Sequence, residues 1–405
     1  MTERLYYDDA YLLSFDAVVT ACREGKAKGS WEIALDRSAF YPTSGGQPYD
    51  TGTLRSGTEE ARITDVEADR AGEVWHTADR AFAVGTAVHG AIDRERRTDH
   101  MEQHGGEHML AGAIWEKLGG TTIGLHLGQE DSSIDVEMPD GRTHLTGEEM
   151  LLLEDTVNAR IRMDAPIRCW FPTEEELASL PLRKPPTVTE HVRIVAMGDF
   201  EMVACGGTHP ASTGRIGLIK ILSASPAKGK IRVSFVCGGR ACRVFQNYMR
   251  CADKAGNVLS APTEKLASAA GELKKRLADA ERKLNRFETD RILQEIRSGE
   301  TAGELRDITI SVTRLEEAPA PAVNAAVSAY IEGDGRVLLM SVGERLIFAR
   351  SADVAIDMNE LIRRVGRGGG RPDWAGGAGI PECAGVARTI LITEGKGKTW
   401  RRKRT

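Results

Sequence analysis

Two short stretches constrain this chain most, because each is only half of a site: Gln103-His104-Gly105-Gly106-Glu107-His108 and Ala204-Cys205-Gly206-Gly207-Thr208-His209. The first lies in a helical pattern, and its H-x3-H spacing sends both imidazoles from one helix face, about one turn apart. The second is C-x3-H in a glycine-rich loop. Three imidazoles and a thiolate are a complete donor set for Zn²⁺, which takes nitrogen and sulfur in a tetrahedron. A fold that joins the two stretches is therefore expected, with the chain's chemistry at the junction. His100 extends the series to His100-x3-His104-x3-His108. His100 and His108 would lie about 12 Å apart, so one ion is served by one adjacent pair, and helix geometry alone does not say which.

The 405 residues allow two or three domains with real cores. Hydrophobic residues at 41% and charged residues at 28% place the chain among ordinary globular proteins. No run reaches the length of a membrane span, and Met1-Thr2-Glu3-Arg4 does not open a signal peptide. Seven irregularly spaced cysteines fit reduced thiols and a cytoplasmic location. A net charge of −5 excludes a globally basic nucleic-acid binder, so any RNA contact must come from local patches.

Residues 1–93 read as mostly β, with short alternating runs between glycine and aspartate turns; Ser14 to Glu24 reads as the exception, a short helix. Within this region Phe40-Tyr41-Pro42-Thr43-Ser44-Gly45-Gly46-Gln47-Pro48 combines adjacent glycines, which let backbone approach a ligand, with polar ends at Thr43, Ser44 and Gln47. A tight hairpin loop is the plainer reading of the same residues. The histidine helix is expected over about 99–118, stopped by Gly119-Gly120. Thr146 with Glu149, and Thr173 with Glu176, are capping-box patterns that open two further helices. With the strands around them, both ligand stretches fall in one α/β domain spanning 94–250. From Leu259 to Ile292 apolar residues take a heptad pattern, Leu266, Ala270, Leu273, Leu277, Ala280, Leu284 and Phe287 among them, as in a coiled-coil arm over 251–300. Residues 301–405 read as another α/β unit. It contains a glycine-rich loop, Gly366-Arg367-Gly368-Gly369-Gly370-Arg371-Pro372-Asp373-Trp374, whose N–H groups could cradle phosphate beside Arg367 and Arg371. The chain ends in a basic tail that includes Arg401, Arg402, Lys403 and Arg404, either solvated or touching RNA.

Five motifs in order, the Y-P-x-x-G-G-Q loop, the H-x3-H helix, the C-G-G-T-H loop, the coiled helix and the G-R-G-G-G-R-P-D loop, resemble the free-standing alanyl-tRNA editing proteins (the AlaX family) in their long form. That form is similar to the editing and C-terminal parts of alanyl-tRNA synthetase. The resemblance implies an α+β fold: a small N-terminal β-barrel, a zinc-containing α/β editing domain, a long coiled-coil-like helix and a C-terminal α/β domain of the DHHA1 type. It implies zinc ligands His104, His108, Cys205 and His209, leaving His100 outside. It places Thr43, Ser44, Gly45, Gly46 and Gln47 along the amino-acid pocket, and assigns tRNA binding and dimerisation to the C-terminal unit, with Arg367, Arg371, Arg401, Arg402, Lys403 and Arg404 as candidate contacts. The chain departs from the common pattern at Glu107, Ser44 and Trp374.

The implied reaction is hydrolysis of the ester joining a wrong amino acid to the 3′ end of tRNA, foremost serine, and also glycine, on the alanine tRNA. Glu107 is a candidate base, although a residue between two ligands can equally point away. Four protein ligands are typical of structural zinc, so catalysis would need a fifth position, a lost ligand or water activated elsewhere. Two other expectations stand beside this one: a related deacylase for another amino acid, for instance on threonyl-tRNA, and a non-hydrolytic zinc module for RNA binding or aminoacyl transfer.

Overall fold

The computed structural model describes residues 1–305, 308–396 and 398–401. It is a mixed α+β protein with eight helices among the described residues and one closed six-stranded barrel. The chain divides into two compact units, Met1–Cys251 and Ala252–Thr405.

The first unit begins with the barrel. Its strands close in the order Ser14–Glu24, Trp31–Leu35, Val74–Ala78, Glu59–Ala68, Gly52–Ser56 and Ala87–Ile92, each antiparallel to its neighbours. Ser14–Glu24 is thus a strand, contrary to the helix expected there. Phe15, Ala17 and Val19 are buried while Asp16, Val18 and Thr20 are exposed, a period of two that the β-branched run Val18-Val19-Thr20 supports. Inside, Ile33, Leu35, Leu54, Ile63, Val66 and Val74 form the core.

His76 is buried in that core. Its Nδ1–H donates to Ile33 O at 2.9 Å, and its Nε2 accepts from the Ser38 hydroxyl at 2.8 Å. Burial lowers its pKa from 6.5 to about 4. An unfolded chain therefore takes up a proton at His76 from about pH 6.5 downward, while the folded chain resists until about pH 4. The contribution to stability is whole above pH 6.5 and is lost as pH falls towards 4. It amounts to about 3 kcal/mol across the window. Urea unfolding of wild type and His76→Gln at pH 7 and pH 5 should show a gap that narrows at the lower pH. A gap independent of pH would show that His76 is not the titrating group.

Helix α1, Arg94–Leu118, follows the barrel. It starts before the expected residue 99 because the Asp93 carboxylate caps it, accepting from the Glu95 and Arg96 N–H groups. Gly119, at φ 68°, ends it. With α2, Gly147–Arg162, it covers a four-stranded antiparallel sheet ordered Ile219–Ala227, Lys230–Cys237, Ser132–Glu137 and Thr121–Leu127. Both capping boxes form, at Thr146 for α2 and at Thr173 for the short α3, Glu174–Ser179. A second antiparallel sheet, Ile167–Trp170, Ile194–Met197 and Glu201–Ala204, delivers the chain to Cys205.

Two helices stand where one was expected. α4 runs Gly238–Leu259 and α5 runs Leu266–Ser298. Leu259 thus ends a helix instead of starting one: Ser260 takes φ 50°, and Pro262 cannot continue the ladder. α5 buries Ile292 and Ile296 against α6, Ala320–Ile331, whereas Leu273, Leu277, Leu284 and Phe287 are exposed.

The second unit is built on a six-stranded mixed sheet ordered Glu300–Leu305, Ile308–Leu315, Arg336–Val342, Arg345–Arg350, Trp374–Ala378 and Arg367–Gly370. Ile308–Leu315 and Arg336–Val342 are parallel, joined through α6. Alternate residues face opposite layers. Leu338 and Met340 pack towards α5 and α6, whereas Val337 and Leu339 pack towards α7, Met358–Val365, and α8, Cys383–Gly395. The glycine-rich stretch expected as an open loop is instead a hairpin of two sheet strands. Its glycines allow that pairing, since a Cβ at Gly368 would lie 2.4 Å from Gly376 O. Arg367 begins the first hairpin strand, and exposed Arg371 sits in the turn, paired with Asp373. Arg401 bridges to Val354, and its Nε donates to Asp353 at 2.8 Å. Arg402, Lys403 and Arg404 lie outside the described residues.

Candidate metal centre and its cleft

His104, His108, Cys205 and His209 converge, with one donor atom from each within 4.8 Å of all the others. His104 Nε2 lies 3.5 Å from Cys205 Sγ, and His209 Nε2 lies 3.4 Å from it. Such separations suit donors about 2.0–2.3 Å from one tetrahedral ion. Both ring nitrogens of His108, and Nδ1 of His209, are buried without a hydrogen-bond partner. Buried polar atoms are rarely left so unless something else occupies them. His100 is buried nearby on α1 but does not join the group.

The electrostatics point the same way. Burial, then the Arg193 guanidinium, lowers the His104 pKa to about 3. Burial also drives His108 and His209 well below the usual imidazole range. All three rings are therefore neutral, the form that donates a lone pair. Burial pushes the Cys205 thiol up to about 12, against the Gly207 N–H that points at its sulfur. A bound divalent cation is the charge that would hold a thiolate there.

The fold holds this cluster from both sides. Arg97, on the first turn of α1, is fully buried, and its guanidinium meets Asp50 at 2.5 Å. It also donates to Ala10 O at 2.7 Å and Ala39 O at 2.6 Å. Asp50 in turn accepts from the Tyr41 N–H at 2.7 Å, closing the base of the Tyr41–Asp50 loop. At the loop tip Ser44 and Gln47 exchange backbone hydrogen bonds around Gly45 and Gly46, both at positive φ, as a tight primed turn requires. On the opposite side, Arg193 donates to Cys205 O at 3.2 Å and Gly207 O at 2.9 Å. Gly207 must lack a side chain, because a Cβ there would lie 2.2 Å from the His104 ring.

A cleft of about 800 Å³ opens onto the cluster. His104, His108 and Cys205 line it, and His209 does not. Ser44 and Gly45 also line it, whereas Thr43, Gly46 and Gln47 are not part of its wall. Thr43 is exposed and donates its N–H to Val66 O. Glu107 does face the cleft: three residues from His104, it shares the helix face that carries the ligands. Its carboxylate lies 3.9 Å from His108 Nε2. Burial raises its pKa to about 7, against the pull of Arg183. Arg183 itself, which lines the cleft, binds Glu201 at 2.8 Å and reaches the Thr122 hydroxyl at 3.2 Å.

These features match known proteins along most of the chain. The family of tRNA synthetases class II (A) matches residues 2–96, and the threonyl and alanyl tRNA synthetase second additional domain matches residues 192–234, which include Cys205 and His209. The alanyl-tRNA editing protein AlaX-L of Pyrococcus horikoshii is 30% identical over 93% of this chain and 94% of that protein. The chain belongs to the AlaX-L family of alanyl-tRNA editing proteins. The alanine–tRNA ligase of Pyrococcus abyssi is 32% identical over 93% of this chain, which spans only 42% of that ligase. Among solved structures, the exonuclease RecJ from Thermus thermophilus has a TM-score of 0.26 at 14% identity, over 34% of this chain and 20% of that one. As an AlaX-L family member, the chain keeps its four-donor cluster, glycine loop and cleft within one compact unit.

The residues that hold the AlaX-L site together, Arg97, Asp50, Arg193 and the Arg183–Glu201 pair, have no local signature. They pair across strands and helices, and a single sequence offers no spacing rule that would reveal them.

Proposed function

We propose that the protein is a trans-acting deacylase that hydrolyses serine, and also glycine, from tRNA(Ala) at a zinc ion held by His104, His108, Cys205 and His209. The observation that carries this reading is the cluster of four donors with three of them on the wall of a cleft. A buried structural site has no reason to present its ligands to a cleft of ligand size. The family membership supplies the tRNA ester as the substrate class.

Bound zinc would polarise the ester carbonyl or lower the pKa of a bound water towards about 7. In this reading Glu107, which lines the cleft beside His108, takes the proton from the attacking water and returns it to the leaving oxygen. Water oxygen bonds to the carbonyl carbon, the bond from that carbon to the ribose 3′-oxygen breaks, and the products are free amino acid and tRNA with its 3′-hydroxyl. An alanine site cannot exclude smaller glycine and rejects an added hydroxyl only weakly, which is why a second, hydroxyl-reading pocket is useful. Ser44 is the loop hydroxyl on the cleft wall.

Release of free amino acid should therefore be fastest from serine-charged tRNA(Ala) in a panel that also contains glycine- and alanine-charged tRNA(Ala) and mischarged threonine tRNA. Ser44→Ala should slow serine release by about 2- to 12-fold, the value of one uncharged hydrogen bond, and affect glycine release less. Thr43→Val, outside the cleft wall, should change neither by as much. Fastest hydrolysis on threonine tRNA would move the protein to the related deacylase reading, and no hydrolysis at all would leave a non-hydrolytic zinc module.

In this reading residues 1–93 form the barrel domain, 94–250 the zinc editing domain, 251–300 the helical linker and 301–405 a DHHA1-like domain that contacts tRNA through Arg367, Arg371 and the Arg401–Arg404 tail. The exposed stripe Leu273, Leu277, Leu284 and Phe287 has coiled-coil spacing and is suited to a second copy of the chain. Light scattering should give a homodimer for the full chain, and a lower mass when Leu277 and Leu284 become glutamate. A monomeric wild type at micromolar concentration would contradict this.

A further inference from the structure

We infer that Gln47 is a positioning residue that orients the metal ligands, not a group that reads the substrate. This rests on the assignment of His104 and His209 as zinc ligands. Gln47 is fully buried and absent from the cleft wall. Its amide oxygen lies 2.8 Å from His104 Nδ1 and accepts the Thr208 N–H at 3.1 Å. Its amide nitrogen donates to the Thr208 hydroxyl at 2.8 Å.

This pattern leaves the amide one orientation. Turned over, its NH₂ group would face the Thr208 N–H, a donor against a donor. With the oxygen committed to that side, His104 must carry its proton on Nδ1, and its Nε2 lone pair then faces Cys205 Sγ. The same amide fixes Thr208, the residue before His209 in the chain. One side chain thus sets the tautomer of a ligand from α1 and holds the loop that carries another. A ligating imidazole whose second nitrogen is bonded this way is held in both orientation and basicity.

Gln47 also links the metal centre to the substrate loop. It exchanges backbone hydrogen bonds with Ser44, which lines the cleft. Gln47 thus joins the hydroxyl-bearing turn directly to the ligand cluster, beside the Arg97–Asp50 contact at the base of the loop. Of the Gly45-Gly46-Gln47 run, Gly45 lines the cleft, Gly46 completes the turn and Gln47 is an anchor facing the metal ligands.

The test is zinc affinity, measured by chelator competition on the full-length protein, with the visible spectrum of the cobalt-loaded form as a second readout. Gln47→Met keeps the length and removes both the acceptor and the donor. It should weaken zinc binding by about 10- to 100-fold and alter the cobalt bands while one metal per chain is retained. Gln47→Glu keeps an oxygen acceptor for His104 and Thr208, and should bind zinc at least as tightly as wild type. Unchanged zinc affinity in Gln47→Met would overturn the inference. Should Gln47→Met not fold, Gln47→Glu decides alone: affinity equal to or above wild type supports the inference, and a loss of tenfold or more overturns it. A wild-type protein that binds no zinc would instead refute the metal assignment itself, a result distinct from any of these.

Discussion

Cys205→Ala is expected to lower hydrolysis of serine-charged tRNA(Ala) by on the order of 10²–10³-fold. The ion contributes several kcal/mol of charge stabilisation at an ester carbonyl, and each 1.4 kcal/mol or so is tenfold in rate. Cys205 is the only thiolate donor in the cluster, and its sulfur lies 3.5 Å or less from the facing nitrogens of His104 and His209. Removing it takes away the one anionic ligand. Zinc per chain, measured by elemental analysis, should fall together with the rate. Circular dichroism should be nearly unchanged, because the loop is also held through Arg193 and its contacts with Cys205 O and Gly207 O. Near-full activity with one zinc retained would show that the three histidines suffice.

The largest loss of stability is expected from Arg97→Ala, about 3–5 kcal/mol in unfolding of the first unit. The substitution leaves the Asp50 carboxylate buried with the Tyr41 N–H and without its cation, and it strips donors from Ala10 O and Ala39 O. Against the 5–15 kcal/mol typical of a domain this is a large share. The combined change Arg97→Met with Asp50→Asn removes both charges while keeping an oxygen for Tyr41, and should recover part of the loss. Urea unfolding of the three proteins measures both effects. A loss under about 1 kcal/mol, as for a surface pair, would mean the clamp is not where barrel and helix are joined.

The legible and illegible parts of this protein separate by range. The histidine helix and the Cys205–His209 loop were readable from spacing as two halves of one donor set, but spacing left His100 as a rival to His108, and only the family resemblance chose between them. The capping boxes at Thr146 and Thr173 were readable from spacing, since both halves of each device lie three residues apart. The Arg97–Asp50 clamp joins residues 47 positions apart, and no local pattern marks it. Gln47 was read with the pocket because the resemblance assigns the whole glycine loop to it; its contacts with His104 and Thr208, which no local pattern marks, turn it towards the ligand cluster. The strand Ser14–Glu24 was misread as a short helix because the contacts that define it lie with distant segments of the chain. What decided it was pairing on both sides, to Trp31–Leu35 and Ala87–Ile92. The Arg367–Gly370 strand was hidden by glycine, which marks loops until a partner strand needs the close approach that only glycine permits.

The proposed reaction is hydrolysis of a mischarged tRNA ester at a metal held by His104, His108, Cys205 and His209. The most direct measurement follows free serine released from serine-charged tRNA(Ala) by protein loaded with zinc, stripped by chelator, and then reloaded. Release by the loaded protein, loss on stripping and recovery with one equivalent of zinc are expected, while alanine-charged tRNA(Ala) survives throughout. Equal rates from loaded and stripped protein, or no release from serine-charged tRNA(Ala) by the loaded protein, would contradict the proposed reaction.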